Sequence, residues 1–138
     1  MAKTFTAPFA QTPKTASAVA TAVVANLTTD APTNTVELYT AGADGALVTK
    51  LTCIPRATVT ATCLYLFISN DGGTTKRLVD SELMGAQTVA LTTAIAETRF
   101  SNIAESTPIR LGAGDKLYVG IGVALASGIV FNVEAMDY

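Results

Sequence analysis

The C-terminal segment, residues 111–138, constrains the fold more than any other part of the chain. It reads LGAGDKLYVGIGVALASGIVFNVEAMDY, in which two alternating apolar runs each follow a glycine-containing turn. Strict alternation of this kind predicts β-strands, and two such runs separated by a short turn segment predict a β-hairpin. Because the second run reaches Tyr138, we expect the final strand to belong to the core of a small all-β domain.

In the rest of the chain, too, turn sequences separate short apolar runs. Turn sequences at 41–45 (AGADG) and 70–74 (NDGGT) separate runs that are rich in Val, Ile, Leu and Thr. About eight to ten short strands, with a turn every eight to twelve residues, predict an all-β, antiparallel β-sandwich, and a two-sheet jelly roll is its natural closure. Residues 80–85 form the one exception, where Asp80 or Ser81 is expected to cap a single helical turn.

A chain of 138 residues is long enough for one domain with its own core. Residues 17–138 are predicted to form the sandwich, and residues 1–16 an extended N-terminal arm. Pro8 and Pro13 exclude a helix in the arm and favour extended neighbours. Its aromatic residues, Phe5 and Phe9, either cover the core of their own subunit or anchor the arm on a neighbouring subunit or partner.

The composition argues against catalysis. The chain has no His, so Ser-His-Asp and Cys-His chemistry is excluded, and the carboxylates fall in predicted loops or on polar strand faces without forming a pair. We therefore predict no enzyme activity, no catalytic or metal-binding residue and no cofactor. Cys53 and Cys63 are expected to be buried free thiols, because two cysteines are too few for a disulfide scaffold.

Charge and hydropathy also limit the partners. Charged residues make up 14% of the chain, the net charge is −2 and no basic cluster exceeds Lys76-Arg77, so no nucleic-acid partner is predicted. No segment approaches the ~20 apolar residues of a membrane-spanning helix, so we expect no membrane partner and a soluble protein made in a cytoplasm. A surface this poor in charge is expected either to be covered in an assembly or to be made polar by Ser and Thr.

The first C-terminal run carries an unusual pair of glycines. Leu117, Val119, Ile121 and Val123 are predicted to face the core, which leaves Tyr118, Gly120 and Gly122 on the opposite face. Glycine within a strand costs stability unless another backbone approaches closely or the strand bends. This face is therefore a candidate subunit interface, and the alternative is a twisted strand that lies under a loop.

A second candidate interface lies in residues 64–68, which are apolar on both faces. A strand of this type is covered on both sides, once by the sandwich core and once by a loop, the arm or another subunit. Leu64, Leu66 and Ile68 are therefore added to the candidate interface. The arm residues Phe5, Pro8, Phe9 and Pro13 form a separate candidate contact with a capsid or a neighbouring subunit.

Four segments resemble small virion proteins of tailed bacteriophages: VELYTAGADG at 36–45, IPRAT at 54–58, LFISNDGGTTK at 66–76 and LGAGDKL at 111–117. The resemblance covers most of residues 35–138 and excludes the arm and the first strand. Some of these virion proteins are decoration or cement proteins with a jelly-roll or β-tulip body. The resemblance thus implies a homotrimer that binds the major capsid protein on the capsid surface after synthesis in the bacterial host cytoplasm.

Two alternatives stay open. The first is another phage component, such as a head fibre base or a tail or baseplate protein. The second is a carbohydrate-binding jelly roll, which needs an exposed aromatic platform. The chain has no Trp, so this platform would have to use its four tyrosines, Tyr39, Tyr65, Tyr118 and Tyr138.

Overall fold

A computed structural model describes residue 10 and residues 12–138. The predicted arm contacts Phe5, Pro8 and Phe9 therefore lie outside the described residues. From residue 12 onward the chain forms nine strands: β1 (Thr12–Ala20), β2 (Val36–Thr40), β3 (Ala46–Pro55), β4 (Thr62–Ser69), β5 (Arg77–Met84), β6 (Thr98–Arg99), β7 (Ile109–Leu111), β8 (Lys116–Ile121) and β9 (Ile129–Asp137). Over this same stretch we find no helix with the length and apolar character needed to span a membrane.

The strands form two packed antiparallel sheets, which confirms the predicted β-sandwich. The first sheet has the order β1-β9-β3, and both β6 and β7 pair with the free side of β3; the second has the order β2-β8-β4-β5. Pairing is nested from the ends inward: β1 pairs with β9, β2 with β8, β3 with β6 and β7, and β4 with β5. The described chain is therefore one long folded-back ribbon, with the turn at residues 70–76 at its closed end.

One continuous core fills the space between the sheets. Side chains alternate along β9, so that Ile129, Phe131, Val133 and Ala135 point inward. A fully buried residue of this size contributes about 1.5–3 kcal/mol of transfer free energy. The largest side chains of this core with no significant exposure are Phe100, Phe131, Leu51, Leu64, Leu66, Met84, Ile103, Leu117, Ile121, Ile129 and Val48.

The predicted C-terminal hairpin is wrong. β8 lies between β2 and β4 in the second sheet, whereas β9 lies between β1 and β3 in the first. The connection at 122–128 crosses from one sheet to the other, and Leu125 packs against the core on the way. Leu117, Val119 and Ile121 face inward as predicted, but Val123 lies beyond the end of β8 and is 37% exposed.

The predicted helical turn at 80–85 is also wrong, because Asp80 to Met84 continue β5. Asp80 lies opposite Leu66 in β4, and Glu82 lies opposite Leu64. Their carboxylates bond to the segment that follows β6: Asn102 Nδ2 donates to Asp80 Oδ1 at 3.2 Å, and the Ser101 amide donates to Glu82 Oε2 at 3.3 Å. These polar residues resemble a helix cap in sequence, but in the structure they lie in β5, an edge strand of the second sheet.

The first strand begins before the predicted boundary at residue 17. Residues 12–16, assigned to the arm, pair with β9 from Thr12 opposite Asp137 to Ala16 opposite Val133. Pro13 is tolerated because β1 is an edge strand, where a missing amide hydrogen need not interrupt a ladder. These residues therefore belong to the sandwich body.

Both cysteines are free, as predicted, but only one is buried. Cys53 lies in β3 with no exposed area, and burial raises the pKa of its thiol. Cys63 lies in β4 of the other sheet and is exposed. The expectation that both thiols are buried is therefore wrong for Cys63, whose side chain points away from the core.

The two sheets are joined near the C-terminal end of β9 by a side-chain hydrogen bond. The Tyr39 hydroxyl of β2 donates to Asp137 Oδ1. Burial, and next the adjacent carboxylate, raise the pKa of Tyr39 well above its ordinary value. The folded state therefore favours the neutral phenol, and ionisation of Tyr39 opposes folding.

We expect Tyr39→Phe to lower the free energy of unfolding by about 1–2 kcal/mol at pH 7, measured by urea denaturation, because it removes a hydrogen bond to a charged group. Since the folded pKa lies above the unfolded value of about 10, the wild-type contribution is complete below pH 10 and is lost as pH rises further. The difference between wild type and variant should therefore shrink above pH 10. Tyr138→Phe is the control, and equal pH dependence in the wild type and Tyr39→Phe would contradict this assignment.

Candidate interaction surface

A segment between β1 and β2, residues 21–35, crosses the outer face of the second sheet; we call it the strap. Near its start, the Val24 amide donates to Ile121 O at 3.0 Å, and Thr21 O accepts from the Leu125 amide at 3.0 Å. Farther along, the Lys76 amide donates to Asp30 O at 2.6 Å. These bonds fix the strap to both ends of the sheet.

The strap covers a small second core. Val24, Phe67 and Tyr118 are buried together, outside the main core, and Tyr65 packs against them. Gly120 makes this possible, because a Cβ at this position would collide with Val24 Cγ2. The glycine in β8 is therefore required for the close approach of the chain's own strap.

Tyr118 is also held from above by a cation. Lys76 Nζ lies 4.5 Å from the centre of the Tyr118 ring, which is within the range of a cation–π contact. The same ammonium donates to Thr35 Oγ1 at 3.2 Å, so Lys76 connects the end of the strap to the aromatic ring beneath it.

This arrangement corrects the predicted subunit interface. Leu64 and Leu66 have no exposed area and belong to the main core, and Gly120 and Tyr118 are buried under the strap. The prediction that these four residues face a second subunit is therefore wrong, and the alternative, a strand under a loop, is confirmed. Ile68 and Gly122 are half-buried, and their place at an interface stays a prediction.

The strap leaves part of the outer face open. On this part, the exposed Cys63 lies opposite Leu83, which is 64% exposed. The Gly122 amide donates to Cys63 O at 3.0 Å. We call the following group the outer patch: Val23, Cys63, Tyr65, Leu83, Gly122 and Val123.

Further contacts show that the outer patch is continuous. Val23 bridges to Ile121 beside Gly122, and a Cβ on Gly122 would lie 3.4 Å from the Tyr65 hydroxyl. Burial, followed by the neighbouring Cys63 thiol, raises the pKa of Tyr65. The outer patch is thus an apolar surface with no charged side chain among its members.

One end of the sandwich is almost free of charge. Four segments meet there, residues 21–29, 56–61, 85–97 and 122–128, and the only charged residues within them are Arg56 and Glu97. Hydrogen bonds tie the segments together: Val59 and Gln87 exchange backbone bonds of 3.0 and 2.9 Å, and the Arg56 amide donates to Gly128 O at 3.0 Å. We call this surface the uncharged end.

The longest segment of the uncharged end, residues 85–97, joins β5 to β6 and carries the most exposed apolar side chain. Leu91 is fully exposed, and Ile95 is 37% exposed. Connections of about this length that lack secondary structure are uncommon in compact domains and are usually functional. We call this segment the apolar loop.

The opposite end of the sandwich carries charged turns. Asp71 Oδ1 accepts from the Thr75 amide at 2.8 Å and from Ser69 Oγ at 2.9 Å, and the Thr75 bond is the main cause of its lowered pKa. At the same end, Lys116 Nζ lies 2.8 Å from Glu37 Oε1, and this bond lowers the pKa of Glu37. These groups close turns and pair strands, so their charges have structural partners.

The described part of the surface has two hollows and no cluster of metal ligands. No group of three or more potential metal ligands occurs among residues 12–138. A hollow of about 340 Å³ lies over β1 and β9 and has Glu134 as its one titratable side chain, and another of about 160 Å³ lies beside Asp71 and Arg77.

Sequence reasoning missed the uncharged end. Its four segments are far apart along the chain, and a shortage of charge in each one alone is unremarkable. The signal was present in the composition, but the nested strand pairing is needed to bring the segments to one end.

Comparison of the chain with protein-family models, curated proteins and solved structures found no match.

We expect Gly120→Ala to destabilise the protein by about 1–3 kcal/mol, because the new methyl group must displace Val24 and the strap. Combining it with Val24→Ala should cost less than the sum of the two single changes, since the smaller residue makes room for the methyl group. Urea denaturation of the four proteins measures this coupling. The matched control is Gly85→Ala, where an added Cβ meets nothing within 4 Å; strict additivity would show that the strap does not rest on Gly120.

Proposed function

We propose that this protein is a structural component of a tailed-bacteriophage virion, a decoration or cement protein that binds the outside of the head and bridges capsomers. The observation that carries the proposal is the uncharged end with its exposed apolar loop. Exposed apolar side chains such as Leu91 and Ile95, on a surface that has almost no charge, favour contact with another macromolecule. In this proposal the uncharged end is seated on the major capsid protein.

Low charge suits a contact that is repeated around a shell. Burying an uncharged surface requires no desolvation of ions, so its association free energy depends little on ionic strength. Each contact can be weak, because an oligomer that binds several neighbouring capsomers gains from effective concentration. A homotrimer seated where capsomers meet would resist the outward pressure of packaged DNA in this way.

The strand pairing is compatible with the jelly-roll body that the proposal requires. A ribbon paired β1 with β9, β2 with β8, β3 with β6 and β7, and β4 with β5 becomes a jelly roll when it wraps into two four-stranded layers. We therefore propose the jelly roll as the specific form of the sandwich. Such a body is closed and well packed, as a non-catalytic shell component needs.

The carbohydrate-binding alternative has little support in the described residues. Tyr39 and Tyr118 are buried, Tyr65 is half-buried, and the three phenylalanines of the described residues, Phe67, Phe100 and Phe131, have no exposed area. Tyr138, 37% exposed, stands alone and does not make a platform.

Another phage component, such as a head fibre base or a tail protein, stays an alternative. Copy number distinguishes it from a head decoration protein, because hundreds of copies per particle indicate head decoration.

We expect the purified protein to co-sediment with expanded, undecorated capsids of the phage that encodes it, and Leu91→Asp to reduce the bound fraction at least tenfold. The reason is that a carboxylate at the tip of the apolar loop would be buried without a partner. Ala113→Asp adds the same charge to an exposed turn at the charged end and should bind like wild type. Failure of the wild type to co-sediment would refute the proposed function.

A further inference from the structure

We infer that the strap is a lid that opens as one unit while the two sheets stay folded, and that its opening uncovers the rings of Phe67 and Tyr118. Segments that bury few side chains and are held by few exposed bonds open at a lower free energy than the whole fold. The strap has both properties. This motion belongs to the isolated chain and does not depend on the proposed function.

The strap buries very little of itself. Val24 and Pro32 are its buried residues, and every residue from 25 to 31 is exposed. None of its apolar side chains belongs to the main core, which is filled from the strands and from the segments around Val59, Phe100 and Ile103. Release of the strap therefore leaves the packing between the two sheets intact.

The strap is held on the sheet at two places. Near its start, the Val24 amide donates to Ile121 O at 3.0 Å. At its tip, Asp30 O accepts from the Lys76 amide, and Asp30 Oδ1 lies 3.2 Å from Arg77 Nε. The side chains of this ion pair are 70% and 69% exposed, so water and salt weaken their attraction.

Other hydrogen bonds lie within the strap and stay intact when it leaves the sheet. Asn34 Nδ2 donates to Val23 O at 2.8 Å, which ties the two ends of the strap together. Asn26 Oδ1 accepts from the Thr28 amide at 2.7 Å and from the Thr28 hydroxyl at 2.6 Å. A surface segment whose ends meet and whose bonds are internal is a compact loop. We therefore expect the strap to move as a body and not to fray residue by residue.

The opening would change the chemistry of the outer face. Phe67 of β4 lies opposite Tyr118 of β8, and the Phe67 ring centre is 6.4 Å from that of Tyr65. With the strap closed, Phe67 has no exposed area and Tyr118 is 9% exposed. With the strap open, the three rings lie side by side at the surface. A molecule that contacts these rings binds the open state alone and so increases its population.

Amide hydrogen exchange of the purified full chain, followed residue by residue by NMR, tests the opening. The reporters are the amides of Val24 and Lys76, which bond across the contact between strap and sheet, and the reference is the set of β9 amides. We expect both reporters to exchange about 100-fold faster than β9 or more, with similar opening equilibria. Their exchange should also depend less on urea, because a local opening exposes little surface.

A disulfide lock makes the test reversible. A Cβ at position 120 would lie 3.6 Å from Val24 Cβ, within the spacing of about 3.5–4.5 Å that a disulfide requires. We therefore combine Val24→Cys with Gly120→Cys and add Cys63→Ser to remove the exposed native thiol. Oxidation should slow exchange of the Lys76 amide about tenfold or more, because it joins the strap to β8. Reduction of the same protein is the matched control and should restore the faster exchange.

A second variant tests the latch without adding a crosslink. Lys76→Met keeps the length of the side chain but removes the ammonium above Tyr118. Exchange of the Val24 amide should rise about threefold or more, while the β9 amides stay unchanged. Lys50→Met is the control, since it removes an exposed ion pair from the other sheet and should leave both rates as in the wild type.

Two results would overturn the inference. Reporter amides that exchange at the rate of β9 would show that the strap opens only when the whole protein unfolds. A Lys76 amide that does not respond to the disulfide would show that the tip opens separately from the start of the strap. Capsid binding is measured independently by co-sedimentation, so failure of this inference and failure of the proposed function are distinguishable.

Discussion

The close packing of the strap on β8 decides what the rest of the surface can do. Gly120 admits Val24, and this contact closes a second small core over Phe67 and Tyr118. With a larger residue at 120 the strap could not lie there, and two aromatic rings would be exposed. Because Val24 of the strap is fixed beside this glycine, the outer face is divided into a part that the strap covers and a part that stays exposed.

The two ends of the sandwich also differ in charge. Charged residues gather at the turns of one end, where Asp71 and Glu37 have hydrogen-bonding partners. The other end holds segments with almost no charge and the fully exposed Leu91. A protein with one neutral end and one charged end is suited to stand on a surface, with its neutral end buried and its charged end in water. This polarity, with the resemblance to phage virion proteins, is the basis of the proposed role.

The strands could be predicted from the sequence because alternation and turn residues report burial directly. Asp44-Gly45 and Asp71-Gly72-Gly73 mark turns in which the glycines adopt positive φ, and the strands on either side follow. Strand pairing could not be predicted in this way. The alternating residues of β8 and β9 would look the same in a hairpin or in two facing sheets, since both arrangements bury one side of each strand. The connection at 122–128 crosses from one sheet to the other, and nothing in its composition distinguishes it from a hairpin turn.

The candidate interface, too, could be predicted from the sequence only in part. Gly120 in β8 correctly indicated that another segment approaches closely, but a sequence does not say which chain that segment belongs to. Gly120 received the chain's own strap, and Gly122 stayed beside the open half of the face. The uncharged end escaped prediction because its four segments become neighbours only after folding.

Hydrogen–deuterium exchange of the protein bound to capsids tests the central claim, that this neutral surface is the one that meets other molecules. The account predicts that binding slows amide exchange in the apolar loop, residues 85–97, and in the connection at 122–128, whereas the turns at 41–45 and 70–76 exchange as in the free protein. Protection of those charged turns, with unchanged exchange in the apolar loop, would contradict it.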